Sequence, residues 1–492
     1  MNEKTPFFKG FHRFFNGPRR RSEKETMIAE RRALQQSSLC QLSELFASWI
    51  DPEILAPTES GDNSRQRDYS NAVTFWAFLI QVITPHCACR EIVRKVQGWY
   101  AAREMALPGA STSAYCQARQ RLSAEKLREM HHYTVSEVER HVASNELWLG
   151  RNVKVIDGTG VSMPDTPQNQ KVWPQPSVQK KGCGFPVAKL VGCFSLASGA
   201  LIDWVEGNLN QNEQKLCKQL FPLFGQDEVL LADQGFCSYA LIGTMKNQSV
   251  DCVIRLNKKV RKTDWRHGKR LSKNERLVVW EKPRQRPKTW EKRAWNRLPD
   301  EMTLRLVRVT VDIPGFRPET LYFVTTFTDP DEVTAEDLAK LYLKRWRVEL
   351  YFRDIKIAIN MDVLRCKTPD MVRKEIVMHA IAYNLVRAIM QRASSDNGTE
   401  LDRLSFKGTV DTIRQWSEVL NEARGKSREQ AALIARILQI IAADKVPDRP
   451  NRIEPRAKKR RPKAYTLLTR PRREITAELC GNLAGAGVMS RA

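Results

Sequence analysis

No apolar run in the chain is long enough to cross a bilayer: the most apolar window, Ala72 to Ile83, has 12 residues, where a span needs about 20. The N-terminus holds Lys9, Arg13 and Arg19-Arg20-Arg21 with no apolar run behind them, so it does not read as a signal peptide. Metal-ligand spacing is missing among the eleven cysteines. Cys87 and Cys89 follow His86 with one residue between them, and no pair has the two-residue gap of a zinc knuckle. They read as reduced, mostly buried thiols, as expected of a protein made for a reducing cytoplasm and no membrane. Internal repeats and low-complexity tracts are absent too. Negative charge is in short supply: 56 Asp and Glu face 81 Lys and Arg, a net +25. A chain this basic repels itself until a polyanion neutralises it, so nucleic acid is the leading partner. What is present is enough apolar side chain, 42% of 492 residues, for several folded units.

Residues 1–24 mix aromatic and basic side chains around Gly10 and Gly17-Pro18, as a flexible basic arm would. Residues 25–150 read as a helical DNA-binding domain, with Leu39, Leu42, Phe46 and Trp49 at alternating three- and four-residue steps. Inside it, Glu91 to Ala102 forms one helix, Pro108-Gly109 a turn, and Ser111-Thr112-Ser113 the cap of a second helix carrying Tyr115, Arg119 and Arg121. That order fits a helix-turn-helix whose second helix enters a major groove. It also fits any pair of packed helices. After Gly150 short buried runs take over, Val153 to Ile156, Ala188 to Leu196 and Val229 to Ala232, so residues 151–250 are mixed α/β. Residues 251–329 are β-rich, with strands expected at Leu277 to Trp280, Leu304 to Val311 and Leu321 to Thr326, and read as an insertion. Helical periodicity returns in 330–395 and in 396–448, ahead of a basic tail over 449–492.

Two of the buried runs finish in a carboxylate: Asp157 follows Val153-Lys154-Val155-Ile156, and Asp233 follows Val229-Leu230-Leu231-Ala232. In open α/β sheets ligands sit beyond the carboxyl ends of strands, so neighbouring strands would aim both acids into one crevice. Like charges there call for a cation. Each Asp could equally cap the turn that follows it. The segment Leu341 to Ile357 supplies further candidates. On one continuous helix, with Tyr342 as zero, Arg345, Glu349 and Lys356 fall at about −60°, −20° and −40°, a single stripe. An exposed ion-paired face would look the same, and such a pair contributes only about 0.3–0.5 kcal/mol.

The spacing Tyr342-x2-Arg345-x3-Glu349-x6-Lys356 resembles, residue for residue, the signature of the YREK group of insertion-sequence DDE transposases. Asp157-Gly158-Thr159 resembles that group's first acidic motif. Asp233-Gln234-Gly235-Phe236 resembles the second, with Gln234 where an Arg often stands. Ala114-Tyr115-Cys116-Gln117-Ala118-Arg119, Tyr383-Asn384-Leu385-Val386-Arg387 and Arg460-Arg461-Pro462-Lys463 extend the similarity over about residues 25–473.

The resemblance implies an α/β protein whose ribonuclease-H-like core is interrupted by the β-rich insertion, placed between Asp233 and Glu349. The 116-residue interval there, against 76 from Asp157 to Asp233, has room for it. It implies that Asp157, Asp233 and Glu349 are catalytic and hold two divalent metal ions, Mg²⁺ or Mn²⁺, and that Tyr342, Arg345 and Lys356 contact DNA. Double-stranded DNA, as transposon ends and target, is the implied partner, with a homodimer in the synaptic complex and a place at the bacterial nucleoid. A metal-dependent nuclease without joining activity and a catalytically silent DNA-binding regulator are the competing readings. Two basic stretches would serve DNA. Residues 251–300 hold 17 Lys and Arg against 6 Asp and Glu, interleaved with Trp265, Trp280, Trp290 and Trp295; the resemblance implies that one such Trp receives a flipped base, while core packing is the ordinary use of each. Arg452 to Arg473 holds ten Lys and Arg and one Glu, enough to grip several phosphates.

Overall fold

The computed structural model describes residues 42–56, 68–101, 104–256, 267–311, 319–423, 426–447 and 468–485. The arm expected over 1–24, Trp265 and most of the basic tail lie outside the described residues.

One nine-stranded sheet organises the chain. Its strands are β1 (Val153–Ser162), β2 (Val187–Ser195), β3 (Leu201–Asn208), β4 (Val229–Ala232), β5 (Asp251–Arg255), β6 (Lys269–Ser272), β7 (Glu275–Glu281), β8 (Glu301–Val311) and β9 (Glu319–Thr325), and their order is β3-β2-β1-β4-β5-β9-β8-β7-β6. β1, β4 and β5 run parallel, and β2 and β3 add antiparallel on the β1 side. This is the ribonuclease-H-like core. Val229–Ala232 is buried at every position, as a parallel strand covered on both faces must be. β6 to β9 form the β-rich insertion, and β9 pairs antiparallel with β5. The insertion thus continues the core sheet. Asp251–Arg255, expected within the insertion, is instead the fifth core strand, because its apolar Cys252-Val253-Ile254 is buried beside β4.

Helices cover both faces. Those used below are α1 (Asn71–Ile83), α2 (Cys89–Ala101), α3 (Thr112–Arg121), α4 (Ala124–Arg140), α5 (Glu213–Cys217), α6 (Tyr239–Asn247), α7 (Ala335–Lys344), α8 (Arg347–Arg353), α9 (Pro369–Asn397), α10 (Phe406–Glu422) and α11 (Ser427–Ala443). None of the described helices is long and apolar enough to cross a membrane. Side chains alternate along a strand, so Val153 and Val155 join the core beneath α9 while Ile156 joins the one beneath α6. The 29-residue α9 is held to the β2–β3 turn by the Tyr383–Arg387 motif. Tyr383 Oη donates to Gly199 O at 2.6 Å, Asn384 exchanges hydrogen bonds with the Leu201 backbone, and Arg387 donates to Ser198 O. Gly199 has φ +72°, and a Cβ there would lie 2.3 Å from the Arg387 guanidinium. That motif is therefore a structural clamp.

One expectation changes and two open readings are decided. Leu341 to Ile357 is not one helix: α7 ends at Lys344, α8 starts at Arg347, and Asp354–Ala358 is a π-helical turn. The break falls at Arg345-Trp346, where Arg345 is drawn inward and Trp346 stays exposed, so a uniform 100° step does not carry across it. Tyr115 and Arg119 do not face a groove: Tyr115 Oη and Arg119 Nη1 both donate to Gln81 Oε1 on α1, at 2.8 and 3.1 Å, and Arg119 lies over the Phe78 ring. Trp280, Trp290 and Trp295 are buried in the core beside α6, so their indoles pack rather than present a stacking face. In both cases the packing alternative that the sequence left open is the one these residues take.

Candidate active site

Register brings the two aspartates together. Val153 to Ile156 pairs in parallel with Val229 to Ala232, Ile156 opposite Ala232, so Asp157 and Asp233 are the next residue on each strand. The chain treats them differently. β1 does not stop at Asp157 but continues to Ser162, since β2 pairs along its whole length; what ends at Asp157 is the pairing with β4. At Asp233 the strand does end. Its Oδ1 accepts from Gly235 N at 2.7 Å and caps the 3₁₀ turn Gln234–Phe236. Asp157 Oδ1 accepts from Gly158 N at 2.8 Å. Asp233 therefore also does the capping work that the sequence left open, whereas Asp157, inside a continuing strand, caps no turn and uses one oxygen on the Gly158 N–H.

The α7–α8 break delivers the rest. Arg345 is 8% exposed and reaches both acids: Nη1 lies 3.6 Å from Asp157 Oδ2, and Nη2 donates to Glu349 Oε1 at 2.9 Å. Tyr342 is buried against Phe323 on β9, ring centroids 4.5 Å apart. Burial pushes its hydroxyl up to about 12, with the Asp233 charge adding to the shift and Arg345 and Arg255 opposing it. Lys356, in the π-helical turn, donates to Gly160 O at 2.9 Å and lies 3.4 Å from Thr159 Oγ1. All six candidates thus surround the β1–β4 strand ends. Tyr342 is the one whose side chain is turned into the core.

The electrostatics mark Asp157. Its side chain is 23% exposed, and burial lifts its carboxyl from 3.8 to about 6. The Asp233 and Glu349 charges push the same way, against the Gly158 N–H and Arg345. The carboxyl is therefore costly to ionise chiefly because it is buried, with the neighbouring carboxylates adding to that cost. The donors are carboxylate oxygens with no soft ligand, a set suited to a hard divalent cation. Among the described residues no three such side chains already converge on one metal-sized point; Arg345 stands between Asp157 and Glu349 and supplies the positive charge there. Asp157, Asp233 and Glu349 are a donor set that would fit a hard divalent ion.

Two neighbours escaped sequence reasoning. Glu213 and Gln214 open α5, and the signals that point to them are Gly158 and Gly235, each close behind an acidic residue. A Cβ on Gly158 would lie 3.0 Å from Glu213 Cδ, and Gln214 Nε2 donates to Gly235 O at 2.7 Å.

Comparison with known proteins finds transposases. The transposase DDE domain family matches residues 148–385, a span that runs from just before β1 through most of α9. The transposase InsG for insertion sequence element IS4 of Escherichia coli K12 is 27% identical over 433 residues, 85% of this chain and 92% of that protein. The putative transposase InsZ of the same organism is 27% identical over 139 residues, 28% of this chain and 46% of that protein. A piggyBac transposase synaptic complex with hairpin DNA matches with a TM-score of 0.37 at 12% identity, covering 82% of this chain and 84% of that one. Residues 148–385 thus match the transposase DDE domain family, and over most of its length the chain is similar to an insertion-sequence transposase.

Proposed function

We propose that this chain is a transposase that binds the ends of its insertion sequence, cleaves them by metal-dependent hydrolysis, and joins the freed 3′-OH ends to target DNA, with Asp157, Asp233 and Glu349 as the catalytic residues. The observation that carries this is the placing of Asp157 and Asp233 at the same level on adjacent parallel strands, with Arg345 linking Asp157 to Glu349. DDE transposases generally use divalent metal ions. Divalent ions held here would supply activation of the attacking oxygen and stabilisation of the leaving one. The chain's own residues bind and orient: Asp157 and Asp233 hold the ions, which we take to be Mg²⁺ or Mn²⁺, from the rigid sheet, and Glu349 closes the site from α8. As Arg345 leaves the carboxylates, its guanidinium becomes free to grip a phosphate, for which its planar fork is suited. Lys356, braced on the Thr159–Gly160 edge of β1, places a second cation beside the strand that bears Asp157. Tyr342 fixes the end of α7 against β9 and so sets where Arg345 emerges; its burial makes its part in DNA contact indirect.

Double-stranded DNA is the partner on this reading, with two protomers needed to hold two ends together. α10 and α11 pack on the core through Val410, Ile413, Ile437 and Ile441, which leaves their outer faces for pairing protomers. The test is a cleavage and strand-transfer assay on a DNA fragment carrying the element's terminal inverted repeats. Asp157→Ala, Asp233→Ala and Glu349→Ala are expected to bind the repeats as the unaltered protein does and to cut nothing. Retained cleavage would sink the triad. Cutting without joining would favour the nuclease, and binding without cutting by the unaltered protein would favour the silent regulator.

A further inference from the structure

Between them, two adjacent residues of α5 touch both acid-bearing turns. Gln214 Nε2 donates to Gly235 O at 2.7 Å, and the N–H of the same Gly235 donates to Asp233 Oδ1 at 2.7 Å. The Gly235 residue is therefore held at its carbonyl by α5 and at its amide by the carboxylate. Gly235 admits no side chain without crowding, since a Cβ there would lie 3.0 Å from Asp233 Oδ1. Next to Gln214, the Glu213 carboxyl packs against Gly158, whose N–H holds Asp157 Oδ1. Lys189 on β2 lies 3.6 Å from Glu213 Oε1. Asn212 caps this turn, accepting from Gln214 N at 2.8 Å, and Leu216 and Cys217 bury the helix in the core. The first turn of α5 is thus fixed at its base and presents Glu213 and Gln214 to the two loops.

We propose that Gln214 is a positioning residue for the metal site, setting the carboxylate of Asp233 through the Gly235 turn, with Glu213 bracing the Asp157 side. Asp233 sits at a strand end followed by a three-residue 3₁₀ turn, so nothing in the sheet ladder beyond Ala232 fixes its side chain. One Oδ1 hydrogen bond to Gly235 N decides where the second oxygen points, and Gln214 decides where Gly235 is. Hydrogen bonds of this kind, one step removed from a metal ligand, typically alter metal affinity by about 10- to 100-fold when removed. The inference rests on the reading of Asp157 and Asp233 as metal ligands.

Mn²⁺ binding to the full-length, DNA-free protein, followed by electron paramagnetic resonance, separates the two ideas. Gln214→Leu keeps most of the side-chain bulk and loses the donor; its Mn²⁺ dissociation constant is expected to rise about tenfold with an unchanged unfolding temperature. Gln214→Lys restores an N–H donor and is expected to stay within about threefold of the unaltered protein. A folded Gln214→Leu variant that binds Mn²⁺ normally overturns the positioning role, as does a Gln214→Lys variant as weak as the Leu one. Asp233→Ala is the control for the underlying reading. If it binds Mn²⁺ like the unaltered protein, or if the unaltered protein binds none, the metal assignment itself fails and takes Gln214 with it.

Discussion

The two halves of the site are built by different means. Asp157 and Asp233 stand on neighbouring parallel strands whose register is fixed by a ladder from Val153 to Ile156, and one oxygen of each is already spent on a glycine N–H. Arg345, Glu349 and Lys356 ride on a segment that breaks between Lys344 and Arg347 and loosens into a π-helical turn. Glu349 is exposed, its side chain at 60%, whereas Asp157 is mostly covered. A sheet-borne half pre-sets the position of charge, and a helix-borne half can adjust when a cation or a phosphate displaces Arg345. Strand ends cannot shift without losing ladder hydrogen bonds, but a short helix between two irregular turns can turn as a unit.

The comparison breaks most visibly at the sheet. Asp233→Ala and Asp157→Ala are each expected to lower cleavage at least about 1,000-fold, a loss of about 4 kcal/mol of transition-state stabilisation. Glu349→Asp, which moves a carboxylate by one methylene on the adjustable half, is expected to keep measurable cleavage, down about 10- to 100-fold. Equal loss in all three variants, measured as single-turnover rates on the terminal repeats, would show that α8 is as rigid as the strands.

Arg345 tests the exchange between the halves. Removing it by Arg345→Ala deletes a phosphate grip and also the cation beside Asp157, so cleavage is expected to fall about 100-fold while Mn²⁺ binding without DNA tightens. A substitution that weakens metal binding and catalysis together would mean that Arg345 orders the carboxylates rather than giving way to an ion. Lys356→Met is expected to cost less, about 10-fold in the apparent dissociation constant for end DNA, and to lower the slope of affinity against salt by about one phosphate contact. An unchanged salt slope would assign Lys356 to bracing β1 through Gly160.

How far this site was legible follows from the same contrast. The two aspartates could be read because a continuous apolar run ending in a carboxylate is a local pattern, and parallel register then does the rest. Adjacency of β1 and β4 was conditional on topology, which no local pattern states. The spacing from Tyr342 to Lys356 named the right neighbours, but its angular argument assumed an unbroken helix. Nothing in Lys344-Arg345-Trp346-Arg347 breaks a helix by propensity; the pull of Arg345 toward Asp157 and Glu349 is tertiary. Tyr115, Arg119 and the three buried tryptophans stayed open between packing and DNA contact for a related cause: a residue type that binds DNA well also fills a core well. Gln214 was invisible because its partner is a backbone carbonyl.

The smallest expected effect is also the one that measures the sheet half alone. Asp157 has its carboxyl raised from 3.8 to about 6, so the folded protein holds that proton more tightly than the unfolded chain does. Folding then loses stability as pH rises through this window: no penalty exists below about pH 4, it develops between about pH 4 and 6, and it is complete above. A shift of about 2 units corresponds to at most about 3 kcal/mol, and partial exposure of the side chain reduces that to about 1–2 kcal/mol. Asp157→Asn removes the charge at nearly constant shape. Without divalent metal it is expected to raise the unfolding temperature by about 1–2 °C at pH 8 and to leave it unchanged at pH 4. Adding Mg²⁺ at pH 8 should stabilise the unaltered protein and not the variant, since a bound cation offsets the cost of burying that charge. If the variant were equally stabilised at both pH values, packing rather than the cost of a buried charge would account for its effect.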